Sequence, residues 1–262
     1  MTTTEKHSAD EYQTGTFPTW CPGCGDFGIW TALKGALAEL NLEPHNVVVV
    51  FGIGCSGNQA NFVRAYGFHG LHGRALPVAD GIALANHGLT TIVVSGDGDG
   101  YGEGMAHFIH TMRANPNVTY IVHDNQVYGL TKGQASPTSE LGFVTPSTPS
   151  GVIDTPVNPL SLALAAGCGF VARGFAGDAM HLQRLFVAAI QYCGFALVDV
   201  LQPCVTFNHL NTYPWFYQRV VKLEQLHHDP TNTEQAWQQA LCDPQDKIPI
   251  GLFLNVQKKT LQ

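Results

Sequence analysis

Residues 90–125 read TTIVVSGDGDGYGEGMAHFIHTMRANPNVTYIVHDN, and this stretch decides the fold. Thr91 to Ser95 is a short, mainly β-branched run that breaks into glycines. From Gly102 to Asn115, the apolar residues Met105, Phe108, Ile109 and Met112 then recur at helical spacing. The order is strand, glycine loop, helix. Such a loop aims backbone N–H groups at whatever sits before the helix, a setting that favours phosphate oxygens. A second apolar run, Val118 to Val122, ends in His123-Asp124-Asn125. If the two strands are parallel neighbours, Asp97 and Asn125 stand side by side at the carboxyl edge of the sheet, where open α/β sheets bind ligands. Two hard oxygen donors beside a phosphate cradle suit Mg²⁺.

Gly96-Asp97-Gly98, 26 further residues and then Asn125 resembles the thiamine diphosphate (TPP) signature. In that signature the Asp, the Asn and a carbonyl two residues later, here that of Val127, hold the metal on the diphosphate. The competing reading is an ordinary Gly-rich βα turn with a capping Asp.

The chain has 262 residues, 45% hydrophobic and only 13% charged, enough for one large domain with a well-buried core. So few charges suggest that much of the surface is covered by a partner. A net charge of −7, with 13 Lys and Arg scattered singly, argues against nucleic acid. No apolar run approaches the roughly 20 residues needed to span a bilayer. The opening MTTTEKHSADEYQTG lacks a hydrophobic segment, so no secretory signal and a cytoplasmic location are expected. Seven cysteines then point to a reducing compartment, where clustered thiols bind metal or do redox chemistry.

Residues 1–16 read as a polar, poorly ordered arm, and 17–262 as a single α/β domain: a mostly parallel sheet with helices on both faces. In WCPGCGDFG, a Pro-Gly turn separates Cys21 from Cys24. The pair fits half a zinc site, a redox pair or part of an iron–sulfur site. Asp26 to Leu40 is an amphipathic helix, and NVVVVFGI (46–53) is a strand buried on both faces. That strand runs into GIGCSGN, which sets Cys55 on a turn beside Ser56, Gly57 and Asn58. His69, His72 and Arg74 fall on a Gly-broken loop, before a small-residue helix from about Ile82 to His87. About 30 residues after Asn125, rich in Pro, Thr, Ser and Gly, read as an ordered cover over a ligand, with Tyr128, Leu130 and Phe143 as its apolar anchors. A helix at Pro159–Ala166, a strand at Phe170–Arg173, a helix at Asp178–Tyr192 and a last core strand at Phe195–Leu201 follow. Pro203-Cys204 stands at the end of that strand, and Ile248–Leu254 reads as an edge strand.

Cys21, Cys24, Cys55 and Cys204 all lie on turns or strand ends, and four thiolates from three segments suit a cubane or a tetrahedral zinc. In order, WCPGCGDFG, GIGCSGN, HGRALPVADG, SGDGDGYGEG, DNQVYGLTKGQASPT and LQPCVTFN resemble the β subunit of 2-oxoacid:ferredoxin oxidoreductases, from Trp20 to about Leu254. The resemblance implies the diphosphate-binding half of a TPP fold. It also implies one 4Fe-4S cluster on Cys21, Cys24, Cys55 and Cys204, and Mg²⁺ on Asp97, Asn125 and the Val127 carbonyl. The TPP would be lined by Ile53, Gly54, Cys55, Ser56, His72, Gly98, Asp99, Gly129 and Leu130. Asn58 and Arg74 would face substrate. A 2-oxoacid would lose CO₂ on TPP, coenzyme A would take the acyl group and ferredoxin the electrons. The family supplies the carboxylate that activates TPP from an α subunit, so no catalytic residue is assigned here.

The YGFHGLHGR stretch looks most like the two-subunit 2-oxoglutarate enzymes, with pyruvate or a branched-chain 2-oxoacid as the alternative substrate. Asp80 departs from the family pattern, which often has a hydroxyl residue there. A non-redox TPP decarboxylase subunit would need no four-Cys set, and a zinc-stapled nucleotide-binding module would leave YGLTKGQASPT unexplained.

Overall fold

The run Val47–Phe51 forms β1. It sends Val47, Val49 and Phe51 to one face and Val48 and Val50 to the other, and all five are buried, as a strand covered on both sides requires. The computed structural model describes residues 6–261. Around β1, in chain order, lie α1 (Asp26–Glu39), β2 (Tyr66–His69), α2 (Ala75–Ala85), β3 (Thr90–Gly96), α3 (Met105–Ala114), β4 (Val118–Asp124), α4 (Pro159–Ala165), β5 (Phe170–Phe175), α5 (Ala179–Gln191), β6 (Phe195–Leu201), α6 (Tyr213–Tyr217), β7 (Val220–Lys222), α7 (Thr233–Ala240) and β8 (Ile248–Asn255).

The strands form one sheet in the order β2-β1-β3-β4-β6-β5-β8-β7, and every pairing is parallel except β5 with β8. Helices α1 and α5 cover one face through Ile29, Leu33, Leu37, Leu182 and Phe186. Helices α2, α3, α4 and α7 cover the other, around Phe108, Tyr120, Leu160 and Phe195. Burying a Leu or Phe of this kind contributes about 1.5–3 kcal/mol. Asn115 ends α3 in the left-handed region at φ 54°, and its side-chain carbonyl accepts from Phe195 N at 2.8 Å. That bond sets β6 against β4. With β1, β3, β4 and β6 side by side, the segments that leave their carboxyl ends meet along one edge of the sheet.

Five expectations need correction. Residues 1–5 of the expected arm lie outside the described residues, but the rest of it is not loose: Tyr12 is fully buried, and its hydroxyl lies within hydrogen-bond reach of the carbonyls of Leu37 and Leu42. A lone apolar residue in a polar run gives no periodicity by which to see this docking. The stretch before Arg74 is not wholly loop, because Tyr66–His69 pairs with β1 as an edge strand whose residues are exposed on both faces. The following helix runs over Ala75–Ala85 rather than Ile82–His87, since Pro77 sits in its first turn, where a missing N–H does no harm. Ile248–Asn255 is no edge strand, and β6 is not the last core strand. β8 lies between β5 and the three-residue β7, and a bulge between Val171 and Ala172 adjusts its register.

Candidate functional site

β3 ends at Gly96, opposite His123 of β4, so the next residues, Asp97 and Asn125, emerge together. Asp97 caps a wide helical turn, Gly98–Glu103, of the i to i+5 kind that recurs at functional sites. Its carboxylate is 1% exposed, and Oδ2 accepts from Ser136 Oγ at 2.5 Å and Thr138 Oγ1 at 2.6 Å. Burial pushes the Asp97 carboxyl up to about 6 against the pull of those hydroxyls. Thr138 Oγ1 also lies 2.8 Å from Asp124 Oδ1, and one hydroxyl proton cannot serve two carboxyls. Burial, reinforced by the charges of Asp199 and Asp97, drives Asp124 well above the carboxylate range. Asp124 is therefore the protonated member, and Asp97 the one left to carry charge. On the β4 side, Gln126 adopts φ 60°, a left-handed turn rare for such a residue, and Asn125 Oδ1 accepts from Val127 N at 3.0 Å.

Asp99 works as a clasp. Its Oδ1 accepts from Ile53 N at 3.1 Å and Gly73 N at 2.8 Å, drawing the turn after β1 and the loop before α2 onto the glycine turn. A Cβ on Gly52 would come within 1.9 Å of Asp99 Oδ2, so only glycine lets the clasp close. His72 Nδ1 lies 3.2 Å from Asp99 Oδ1 and 3.3 Å from Glu103 Oε2. Ser56 Oγ and Asp99 Oδ2 are buried with no hydrogen-bond partner among the described residues.

One cleft takes in Ile53, Gly54, Cys55, Ser56, His72, Asp97, Gly98, Asp99, Asn125, Val127, Gly129 and Leu130, so these separated segments share a single wall. Leu130 stands exposed on it. Asn58 and Arg74 do not line this cleft. Asn58 lies in the short turn Ser56–Asn61, and Arg74 Nη1 donates to the carbonyls of Gly73 and Glu103, both at 3.1 Å.

The cleft's floor leads to the cysteines. A Cβ on Gly129 would lie 3.4 Å from Cys55 Sγ and 3.7 Å from Cys204 Sγ, so both sulfurs close on one glycine of the cleft. Burial pushes the Cys55 thiol up to about 12, with the charges of Asp26, Cys204 and Cys21 adding to it. Burial raises Cys24 too, with charge from Asp26 and Cys204. Cys204 thus acts on both Cys24 and Cys55, and Cys21 acts on Cys55. Cys168 is buried elsewhere, donating to Phe170 O at 3.1 Å, whereas Cys193 is exposed and Cys242 half-buried. Among the described residues no three His, Cys, Asp or Glu side chains close tightly enough to enclose a single metal ion.

Sequence reasoning missed the supports behind these groups. Ser136 and Thr138 sit inside a motif already noted, but nothing marked their hydroxyls as partners of Asp97. Asp26 and His123, both fully buried, meet at 2.6 Å between Oδ1 and Nδ1, and Gln202 Nε2 reaches Cys24 Sγ at 3.2 Å. Such pairs are 97 and 178 residues apart in the chain, and no local signal could join them.

Residues 52–200 match the family model described as the thiamine pyrophosphate enzyme C-terminal TPP-binding domain, and 204–262 match the model for the C-terminal part of the pyruvate ferredoxin oxidoreductase β chain. The 2-oxoacid:ferredoxin oxidoreductase subunit β of Saccharolobus solfataricus is 47% identical over 89% of this chain and 80% of its own. The chain belongs to this β-subunit family. The 2-oxoglutarate synthase subunit KorB of Methanocaldococcus jannaschii is 32% identical over 91% of this chain and 88% of its own. The structure of 2-oxoglutarate:ferredoxin oxidoreductase from Magnetococcus marinus, with 2-oxoglutarate, coenzyme A and succinyl-CoA bound, superposes with a TM-score of 0.95 at 38% identity. It covers 98% of this chain and 88% of that one. A β subunit of an oxidoreductase implies an α subunit as partner, and the matched domain implies TPP. No helix among the described residues is long and apolar enough to cross a membrane.

Proposed function

We propose that this chain is the cofactor-binding half of an enzyme that oxidatively decarboxylates 2-oxoglutarate to succinyl-CoA and CO₂, passing electrons through TPP and one 4Fe-4S cluster to ferredoxin. The observation that carries the reading is Gly129, a residue of the cleft wall with Cys55 and Cys204 sulfurs against it. The residues suit the groups. Asp97 is a buried carboxylate met by neutral donors, the hydroxyls of Ser136 and Thr138 and backbone N–H groups, and raised by burial, a state that a divalent cation relieves. Asn125 Oδ1 and the Val127 carbonyl supply further hard oxygens, and Ser56 Oγ is a buried hydroxyl on the same wall with its bonding capacity unused.

When bound, TPP supplies the nucleophilic carbon that adds to a 2-oxoacid and takes up the electron pair released with CO₂. Around it this chain holds and shields. Asp97 and Asn125 would anchor the diphosphate through Mg²⁺, and the Asp99 clasp holds three segments of the wall in place. The turn Gly54-Cys55-Ser56 joins the cleft wall that would hold TPP to the cysteine set that would hold the cluster. Among the described residues, the only carboxylates on the cleft wall are Asp97 and Asp99, both engaged. The carboxylate that activates TPP would come from the α subunit.

Pyruvate is the second reading, favoured by the match of 204–262 to the pyruvate enzyme's C-terminal model. Steady-state rates of the purified α–β complex on 2-oxoglutarate, pyruvate and branched-chain 2-oxoacids decide between them. Iron and acid-labile sulfide should fall in Ser variants of Cys21, Cys24, Cys55 and Cys204. Ser variants of Cys168, Cys193 and Cys242 should keep both and lose no more than about 1 to 2 kcal/mol of stability. A full cluster in the Cys204 variant, or zinc in the anaerobically prepared parent, overturns the reading.

A further inference from the structure

We propose that Gln202 is a positioning residue that sets the reduction potential of the cluster, by donating its side-chain N–H to Cys24 Sγ. The inference rests on the four-cysteine reading above. Gln202 follows β6 directly, and its backbone N–H donates to Asp124 O at 2.9 Å, which extends the β4–β6 register one residue past the strand and fixes where its side chain starts. The side chain is 1% exposed, and its Nε2 lies 3.2 Å from Cys24 Sγ. The path is kept open by Gly25: a Cβ there would come within 2.6 Å of Gln202 Cγ and 3.1 Å of Pro203 Cδ. Thus the glycine after Cys24 and the glutamine two before Cys204 are fitted to each other. Gly25 N donates to Pro203 O at 3.2 Å across the same gap.

The amide's other end gives the direction of the effect. Gln202 Oε1 is buried without a hydrogen-bond partner among the described residues. A buried amide with one end unsatisfied is unfavourable, and what it achieves in this position is to turn an N–H toward sulfur. On its other side Cys24 Sγ lies 3.3 Å from Asp26 Oδ2, whose second oxygen meets His123. A carboxylate beside a ligand sulfur opposes the arrival of an electron. An N–H dipole aimed at that sulfur favours it, because the reduced cluster puts more negative charge on its thiolates. Gln202 is the neutral donor that offsets Asp26 at this ligand.

The test uses the chain co-expressed with its α subunit and purified anaerobically, with iron and sulfide counted before a redox titration followed by electron paramagnetic resonance. Gln202→Met keeps the length and removes the donor. At the parent's midpoint potential its oxidised-to-reduced ratio should rise from one to on the order of ten, equal to about 59 mV for a one-electron couple. Parental iron content with an unchanged midpoint overturns the inference and leaves the cluster reading standing. A parent without iron overturns both. Should Gln202→Met fail to hold iron, Gln202→Asn, which keeps an amide but falls short of the sulfur, is titrated instead and judged by the same shift.

Discussion

Two buried carboxylates, one at the carboxyl edge of the sheet and one in its middle, have been given opposite surroundings. Asp199, within β6, is fully buried; its Oδ2 accepts from Arg173 Nε at 2.8 Å and its Oδ1 from Tyr101 OH at 2.9 Å. A permanent cation is built in, so the charge is balanced by the chain itself. Asp97 is as deeply buried, but the side chains on its carboxylate are the neutral hydroxyls of Ser136 and Thr138, and no Lys, Arg or His pairs with it among the described residues. The first arrangement holds β5 to β6. The second leaves a charge that something from outside must balance, and that difference separates a structural acid from a binding one.

The largest effect should come from Asp97→Ala, which is expected to abolish Mg²⁺-dependent TPP retention in the α–β complex while leaving its iron intact. TPP counted per chain after gel filtration checks this, and unchanged stoichiometry would break the contrast at its root. Asp199→Ala should act on stability instead. It strands Arg173 and Tyr101 without their partner, a loss of about 3–5 kcal/mol in urea unfolding. A neutral result would mean that the two acids are not different in kind.

Thr138→Val sharpens the comparison, because it removes a hydroxyl behind Asp97 at a residue that does not itself line the cleft. Mg²⁺ affinity, measured by titration with TPP present, should weaken by about 10–100-fold, the usual effect of losing a group that orients a metal ligand. The smallest effect belongs to an exposed pair of acids. Hydrogen bonds that the His7 ring donates to Glu11 and then to Glu43 raise its pKa, and both acids lie within 3.2 Å of the ring. A raised pKa in the fold means stabilisation that is whole below 6.5 and lost as pH rises through the raised value. The gap in urea midpoint between the parent and His7→Gln should therefore be slight and should narrow with rising pH. A gap that widens would show that His7 acts through packing.

By itself, the sequence determined the parallel core and the outline of the site. Runs such as Val47–Phe51 and Val118–Val122 are mainly apolar on both faces, the pattern expected of a covered parallel strand. Glycine-broken turns at their ends put Cys55, Asp97 and Asn125 at one edge, since parallel strands leave on the same side. What the tertiary structure alone decided is what stands behind each of those groups: hydroxyls on Asp97, an arginine on Asp199, an amide on Cys24, and β8 inside the sheet rather than at its rim. A strand's period is a local property, carried by neighbouring residues. A hydrogen bond between Gln202 and Cys24, or between Thr138 and Asp97, is made across the fold, and its geometry exists only once the chain has closed.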